Sequence, residues 1–436
     1  MGAPIEVRVA SWLTPARARI YPATAALVVV LGYLVSVVIG EGRTDAAGAI
    51  EGADFSAFYW AGTALREGTH GLYDIEAEAE FLSSLIAPAT NEKGEVHAFV
   101  SPPYWALVFA PLSLLPYRAA LVVFWALCAA MLVANAALLR RALPALRAVS
   151  LARTVGTALL FFPVLFAFLD GQTSMIVLAP LVLAFAALRR ERDLWAGLAL
   201  GLLAVKPQLA LGLVVVALAA RRWRVLLGAA ISAGAWLAVG WTLLPDAMRD
   251  YAELAPELFE FLRRDDYYTW GQLSAYGFAT LLLDPLSHAA GTVAAWGAVL
   301  ALCLVNAVTW WRAPWAPGTR RWDLTMASSI AIGLVASPHL FLYDASLLLL
   351  PLGIVVAWLG TVPRDGNGPP APLLDGGPVL VATGALWVAL FAGPFLTSAL
   401  QDALRAASIP AVVVQLPTLA ILYWAWRVRG AANRAA

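Results

Sequence analysis

Residues 189–224 read RRERDLWAGLALGLLAVKPQLALGLVVVALAARRWR, an apolar run held between two arginine clusters and interrupted once, at Lys206-Pro207. A crossing of the hydrocarbon core, roughly 30 Å, takes about 20 apolar residues. The stretch from Leu194 to Ala220 has 27 residues, too few for two full crossings. Both arginine clusters nevertheless read as cytoplasmic under the positive-inside rule. The chain therefore has to turn back inside the bilayer. A proline cannot continue the helical ladder, and it pushes the residue before it out of helix, so two short helices meeting at Lys206 are expected. Such interruptions at membrane depth survive only when buried in protein or lining a polar cavity. A lysine placed there is a functional candidate.

The rest of the chain has the same character. Of its 436 residues, 61% are hydrophobic and 13% charged, against roughly 45–50% and about 25% in soluble domains. A water-soluble protein is excluded. Cys128 and Cys303 each lie in an apolar run, which leaves neither a disulfide framework nor a thiolate metal site. Four histidines without a zinc-binding spacing argue against a zinc enzyme. No metal, cofactor or nucleic-acid partner is expected for a chain whose net charge is +1.

Placing every arginine cluster inside puts spans near 21–40, 119–139, 154–169, 173–189, 225–245, 289–311, 324–337, 341–360, 379–398 and 409–426. The expectation is an all-α polytopic bundle of about ten full spans plus the short pair, or twelve membrane helices. The stretch from Tyr21 to Gly40 is too long for a signal-peptide core and no cleavage site closes it, so it reads as a retained first span. Both termini then lie in the cytoplasm, and residues 1–436 form a single domain with external segments at 41–117 and 246–272. The first external segment carries an amphipathic helix with Ile75, Ala79, Leu82 and Ile86 on one face and Glu76, Glu78 and Glu80 on the others. Pro102 to Pro116 reads as an interfacial or re-entrant helix.

Ionisable groups that converge on the outer side are the candidates for chemistry. Asp54 sits in an aromatic stretch, Asp170-Gly171-Gln172 forms a tight outer turn, and Arg118 starts the second span. Lys206 caps the short pair, and Ser337-Pro338-His339 precedes Tyr343-Asp344 at another outer turn. Each has a plainer reading as well: Asp is a favoured helix N-cap, and Lys and Arg snorkel at span ends. Lys206 stands out because the chain uses 27 arginines and one other lysine, Lys93, in a polar loop. One carboxylate among several cationic donors is the arrangement needed to displace a phosphate leaving group.

The ordered set Asp54-Phe55, Tyr59-x-x-Gly62, Gly68-x-x-Gly71-Leu72-Tyr73-Asp74, Pro102-Pro103, Gly171-Gln172, Lys206-Pro207 and Ser337-Pro338-His339 with Tyr343-Asp344 resembles glycosyltransferase family 87. That family is a group of C-type membrane glycosyltransferases with polyprenyl-phosphate-mannose-dependent mannosyltransferases and an arabinofuranosyltransferase among its members. The resemblance implies an inverting transfer of a sugar, most of all mannose, from a polyprenyl-phosphate donor to a glycan or glycolipid acceptor at the outer face of the cytoplasmic membrane. It makes Asp54 the catalytic base. Arg118, Lys206 and His339 are then expected to hold the donor phosphate, and Tyr59, Trp60, Gln172, Trp270, Tyr343 and Asp344 to contact substrate. Asp170 departs from the family pattern and leaves a metal-assisted variant open. Transfer of an arabinosyl or another hexosyl group is the nearest rival. A lipid-linked glycan flippase, or a polymerase using Arg249, Arg263 and Arg264, is the rival from another class.

Overall fold

The computed structural model describes residues 15–46, 48–68, 71–85, 98–258, 271–359, 376–407 and 411–434. Among them the chain is all-α, with two isolated backbone bridges, Thr44 to Ile50 and Gln272 to Phe341, and no strand. It begins with α1 (Pro15–Ile39), followed by three short helices, α2 (Phe55–Glu67), α3 (Ile75–Leu85) and α4 (Pro103–Phe109). The long α5 (Tyr117–Ala142) leads to α6 (Leu151–Leu159), α7 (Phe162–Leu169) and α8 (Ser174–Leu188). Then comes the interrupted pair. α9 (Asp193–Gly201) continues as a 3-10 turn to Val205, stops at Lys206, restarts as a 3-10 turn at Pro207 and runs into α10 (Leu211–Ala219). Beyond it lie α11 (Trp223–Leu243), α12 (Pro245–Leu254), α13 (Ala275–Leu283), α14 (His288–Trp311) and α15 (Arg320–Val335). A 3-10 turn at Asp344–Leu348 opens α16 (Leu349–Leu359), and α17 (Gly376–Ala406) and α18 (Leu416–Arg434) complete the bundle.

Every expected span position carries a helix, but the lengths differ from expectation. α1, α5, α11, α14 and α17 are long and apolar enough to cross a membrane alone, and the count reaches six if α6 and α7 are one span. The continuous span expected at 154–169 is bent by 76° at Leu160-Phe161. Pro163 lies in the first turn of α7, where its missing N–H and its ring forbid helical continuity with α6. α8 and α15 have 15 and 16 residues. α15 is buried along its length from Trp322 to Val335, so protein rather than lipid sets its reach.

The amphipathic helix expected around Ile75–Ile86 forms over Ile75–Leu85, with a different buried face. Glu78 is 1% exposed and accepts a 3.1 Å hydrogen bond from the Phe99 N–H, while Ile75 is 49% exposed. Phe81, Leu82 and Leu85 share the packed side with Glu78. A backbone donor arriving from 21 residues away outweighs the apolar stripe.

The end of the bundle away from Lys206 is closed by buried ion pairs. Arg189, just after α8, meets Asp323 of α15 at 2.9 Å, and the Trp358 indole N–H of α16 donates to the other oxygen at 2.9 Å. Arg222, just after α10, meets Asp193 of α9 at 2.6 Å and lies over the Trp315 ring. The foot of the interrupted pair is thereby fixed while its tip projects into the bundle. Where α10 crosses α15, Gly212 and Gly333 meet backbone to backbone: a Cβ on Gly212 would lie 2.5 Å from the Gly333 Cα.

That contact leaves no side chain to move aside. Gly212→Ala should destabilise the protein by about 1–3 kcal/mol through overpacking, read as a lower melting temperature of the solubilised protein. Gly234→Ala in α11, around which nothing lies within 4 Å, should leave it unchanged or raise it.

Candidate functional site

Asp54 reaches its position because the chain between α1 and α2 turns on Gly52 (φ +72°) and Ala53 (φ +27°). Such values suit glycine and strain alanine, so the surroundings have to fix the turn. They do so from two helices. The Tyr33 hydroxyl of α1 accepts from the Gly52 N–H at 3.3 Å, and the Tyr117 hydroxyl of α5 donates to the Glu51 carbonyl at 2.6 Å. Arg118 grips the Glu51 carboxylate with two nitrogens, at 2.9 and 2.5 Å, and donates to the Gly42 carbonyl at 2.6 Å.

The turn after α7 closes on this loop. The Asp54 N–H donates to the Asp170 carbonyl at 3.0 Å, and the Gln172 side-chain amide donates to Asp54 Oδ2. Gly171, at φ +67°, permits the approach: a Cβ there would come within 2.4 Å of the Gly52 oxygen. Asp54 stands at the N-cap position of α2, yet its side chain makes no capping hydrogen bond. The plain N-cap reading therefore does not describe its carboxylate.

Lys206, at the tip of the interrupted pair, places its ammonium 3.2 Å from Asp344 Oδ1 and 5.1 Å from the centre of the Tyr343 ring. The second Asp344 oxygen accepts from the Phe341 N–H at 3.3 Å. The loop holding His339 is tied down on two sides. Ser337 donates to the His339 carbonyl at 2.7 Å, Ser274 donates to the Pro338 carbonyl at 3.3 Å, and the Leu273 N–H donates to the Leu340 carbonyl at 2.7 Å. Burial pushes the His339 imidazole down to about 4, opposed by Asp344, reinforced by Lys206 and opposed again by Asp54. Those influences tie the Asp54 loop, the lysine tip and the His339 loop into one electrostatic neighbourhood. At neutral pH the imidazole is uncharged, so His339 can offer a hydrogen bond but not the positive charge expected of it from sequence.

Asp54, Asp170, Lys206, His339 and Tyr343 are each partly exposed, and Gln172 and Asp344 are buried behind them. The other candidates lie elsewhere. The Arg118 guanidinium is committed to Glu51 and Gly42, so it anchors the loop that carries Asp54. Tyr59 is buried, with its hydroxyl on the Leu115 carbonyl at 2.8 Å, and Trp60 is buried with its indole N–H 3.4 Å from the Leu72 carbonyl. Both stack in the aromatic layer with Phe81. Trp270, like Arg263 and Arg264, lies outside the described residues. Sequence reasoning missed Glu51, Gln272 and Ser274; the Gly-Gln pair at 271–272, repeating that at 171–172, was the available signal. Among the described residues no three His, Cys, Asp or Glu side chains gather to hold a metal ion.

The sequence model of glycosyltransferase family 87 matches residues 99–338, more than half of the 436-residue chain. Neither curated proteins nor solved structures give a match.

The state of His339 sets a pH dependence. Its ordinary value near 6.5 is lowered in the fold, so the unfolded chain binds the extra proton first. The stability contributed by neutral His339 is present above about 6.5 and is lost as pH falls toward 4. The melting temperature should fall across that window, and His339→Gln should flatten this part of the curve.

Proposed function

The chain belongs to glycosyltransferase family 87, and from that premise we propose that it is an inverting enzyme in which Asp54 acts as base on a polyprenyl-phosphate-linked sugar. The observation that carries the reading is the environment of Asp54. A neutral amide, Gln172, donates to the carboxylate, and the Asp170 carbonyl fixes its main chain. Lys206, by contrast, is a cation whose single carboxylate partner leaves further N–H bonds for an anion.

In the proposed reaction the acceptor hydroxyl attacks the anomeric carbon from the face opposite the phosphate. The new C–O bond forms as the bond from that carbon to the phosphate oxygen breaks. The electron pair leaves with the phosphate, and the hydroxyl proton passes to Asp54, giving inversion in one displacement. A phosphodiester becomes a phosphomonoester dianion that is already a weak base, so the leaving group needs charge stabilisation rather than a proton. Lys206 supplies charge and neutral His339 an N–H, while Tyr343, Asp344 and Gln172 set the positions of these groups. Arg118 contributes by holding the Glu51 turn. Mannose is the sugar we favour, with a glycan or glycolipid as acceptor and an arabinosyl or other hexosyl donor as the alternative. The polyprenyl tail lies in the bilayer, which agrees with a site at the ends of apolar helices.

We further propose that the site faces the outside of the cytoplasmic membrane, because arginine clusters populate the opposite end of the helices. A single cysteine at Glu76 should react with an impermeant thiol reagent in intact cells and one at Glu191 should not; both positions are exposed. The reverse pattern would invert the orientation.

The chemical step is tested with Asp54→Asn, which removes the proton acceptor at nearly constant shape. Transfer from a panel of polyprenyl-phosphate sugars should fall by about 10²–10⁴ while donor binding persists. Lys206→Met should weaken turnover efficiency by roughly 10-fold to 150-fold, the equivalent of about 1.5–3 kcal/mol for a charge-assisted hydrogen bond. Normal transfer by Asp54→Asn would eliminate it as the base.

A further inference from the structure

The first residues of α8 carry hydroxyls that the fold leaves unused. Thr173 is the N-cap of this helix, a position where threonine ordinarily accepts a hydrogen bond from the first turn, yet it makes no such bond. Thr173 Oγ1 and Ser174 Oγ are buried with no hydrogen-bond partner, and so is Ser346 Oγ on the 3-10 turn that packs against α8. All three residues are 0% exposed. Most buried polar side chains in folded proteins find a partner, so three orphaned hydroxyls on two touching elements are unexpected. Their position is also specific. Gln172, which donates to Asp54, accepts the Thr173 N–H at 3.3 Å, and Ser346 lies two residues beyond Asp344, the partner of Lys206.

The N-terminus of a 15-residue helix presents free backbone N–H groups and the positive end of its dipole, a ready place for an anion. We propose that the donor's phosphate is received at the N-terminus of α8, with the Thr173, Ser174 and Ser346 hydroxyls as donors to its oxygens and Lys206 as its counter-charge. This deepens the reading of the previous subsection and rests on it. The hydroxyls have no surface open to solvent, so the phosphate reaches them as Gln172 swings away from the Thr173 N–H. The same movement breaks the Gln172 bond to Asp54 Oδ2, so one side chain links arrival of the leaving group to the base.

The test compares binding of a long-chain polyprenyl phosphate with binding of the polyprenol of equal length to the purified full-length protein. Thr173→Val with Ser174→Ala should weaken binding of the phosphate by roughly 10-fold or more, on the scale of a lost charge-assisted hydrogen bond. Binding of the alcohol should not change, and Thr173→Ser should bind like the wild type. Because the fold does not use these hydroxyls, the melting temperature of the double variant should hold or rise. Ser346→Ala should weaken the phosphate alone by a smaller factor. Undiminished phosphate binding by the double variant would mean that the hydroxyls hold water only, and would overturn the α8 site while leaving the donor class intact. A lowered melting temperature together with lost binding would assign the hydroxyls to the fold and overturn the site as well. If the wild-type protein does not distinguish phosphate from alcohol, the donor class itself falls, and this site with it.

Discussion

A lysine carried on a break in an apolar bundle has to meet a carboxylate, and Lys206 meets Asp344 at 3.2 Å with both side chains largely buried. An isolated ammonium at that depth costs several kcal/mol in desolvation, so the pairing constrains everything around it. The interrupted pair must be long enough to carry Lys206 up to the end of α16, and it must stop there. Asp344 in turn has its second oxygen taken by the Phe341 N–H, which pulls the His339 loop over the same spot. Two segments far apart in sequence, the interrupted pair and the stretch from His339 to Asp344, are thereby held together by one buried ion pair and its satellite hydrogen bond.

The other end of the same helices shows why that arrangement can be rigid. α8 covers about 22 Å at 1.5 Å per residue from Gln172 to the Arg189–Asp323 pair, and α15 returns over a similar distance to Ser337. Charges that close the bundle at one end are thus separated by a closely packed middle from Lys206 and Asp344 at the other. The packing there is tight enough that Gly212 and Gly333 touch through backbone. Partial charges at the site are therefore set by local partners and not by the arginine-rich end.

The interrupted pair was legible because a proline leaves a local mark: 27 residues between two arginine clusters, with Lys206-Pro207 in the middle, have one physical solution. Pro163 left a similar mark that went unread, since the apolar run on either side of it was long enough to pass for one span. The candidates Asp54, Gln172, Lys206, His339, Tyr343 and Asp344 were named from sequence, and the fold brings their segments together. Their partnerships were not readable. Arg118 lies 67 residues from Glu51 and Gln172 lies 118 from Asp54, and no periodicity encodes contacts at that separation. The same limit explains Glu78, whose helical phase pointed to solvent until the Phe99 N–H supplied a buried partner. The aromatic residues Tyr59 and Trp60 show the converse. Their type suits sugar stacking, but their neighbours Phe81 and Tyr117 make them part of a buried aromatic layer.

The division between Asp54 and Asp344 follows from what holds each of them. Two carboxylates would be interchangeable if only their distance from substrate mattered. Asp344 is bound to a cation and a backbone N–H. It fixes the position of Lys206. Asp54 is bound by a primary amide that can rotate away, and its main chain is fixed separately through the Asp170 carbonyl. The carboxylate and the backbone that carries it thus have separate partners. The cation and the proposed base thus sit on different segments, Lys206 at the tip of the interrupted pair and Asp54 just before α2. A site that has to stabilise a departing phosphate and accept a proton in the same step needs that separation.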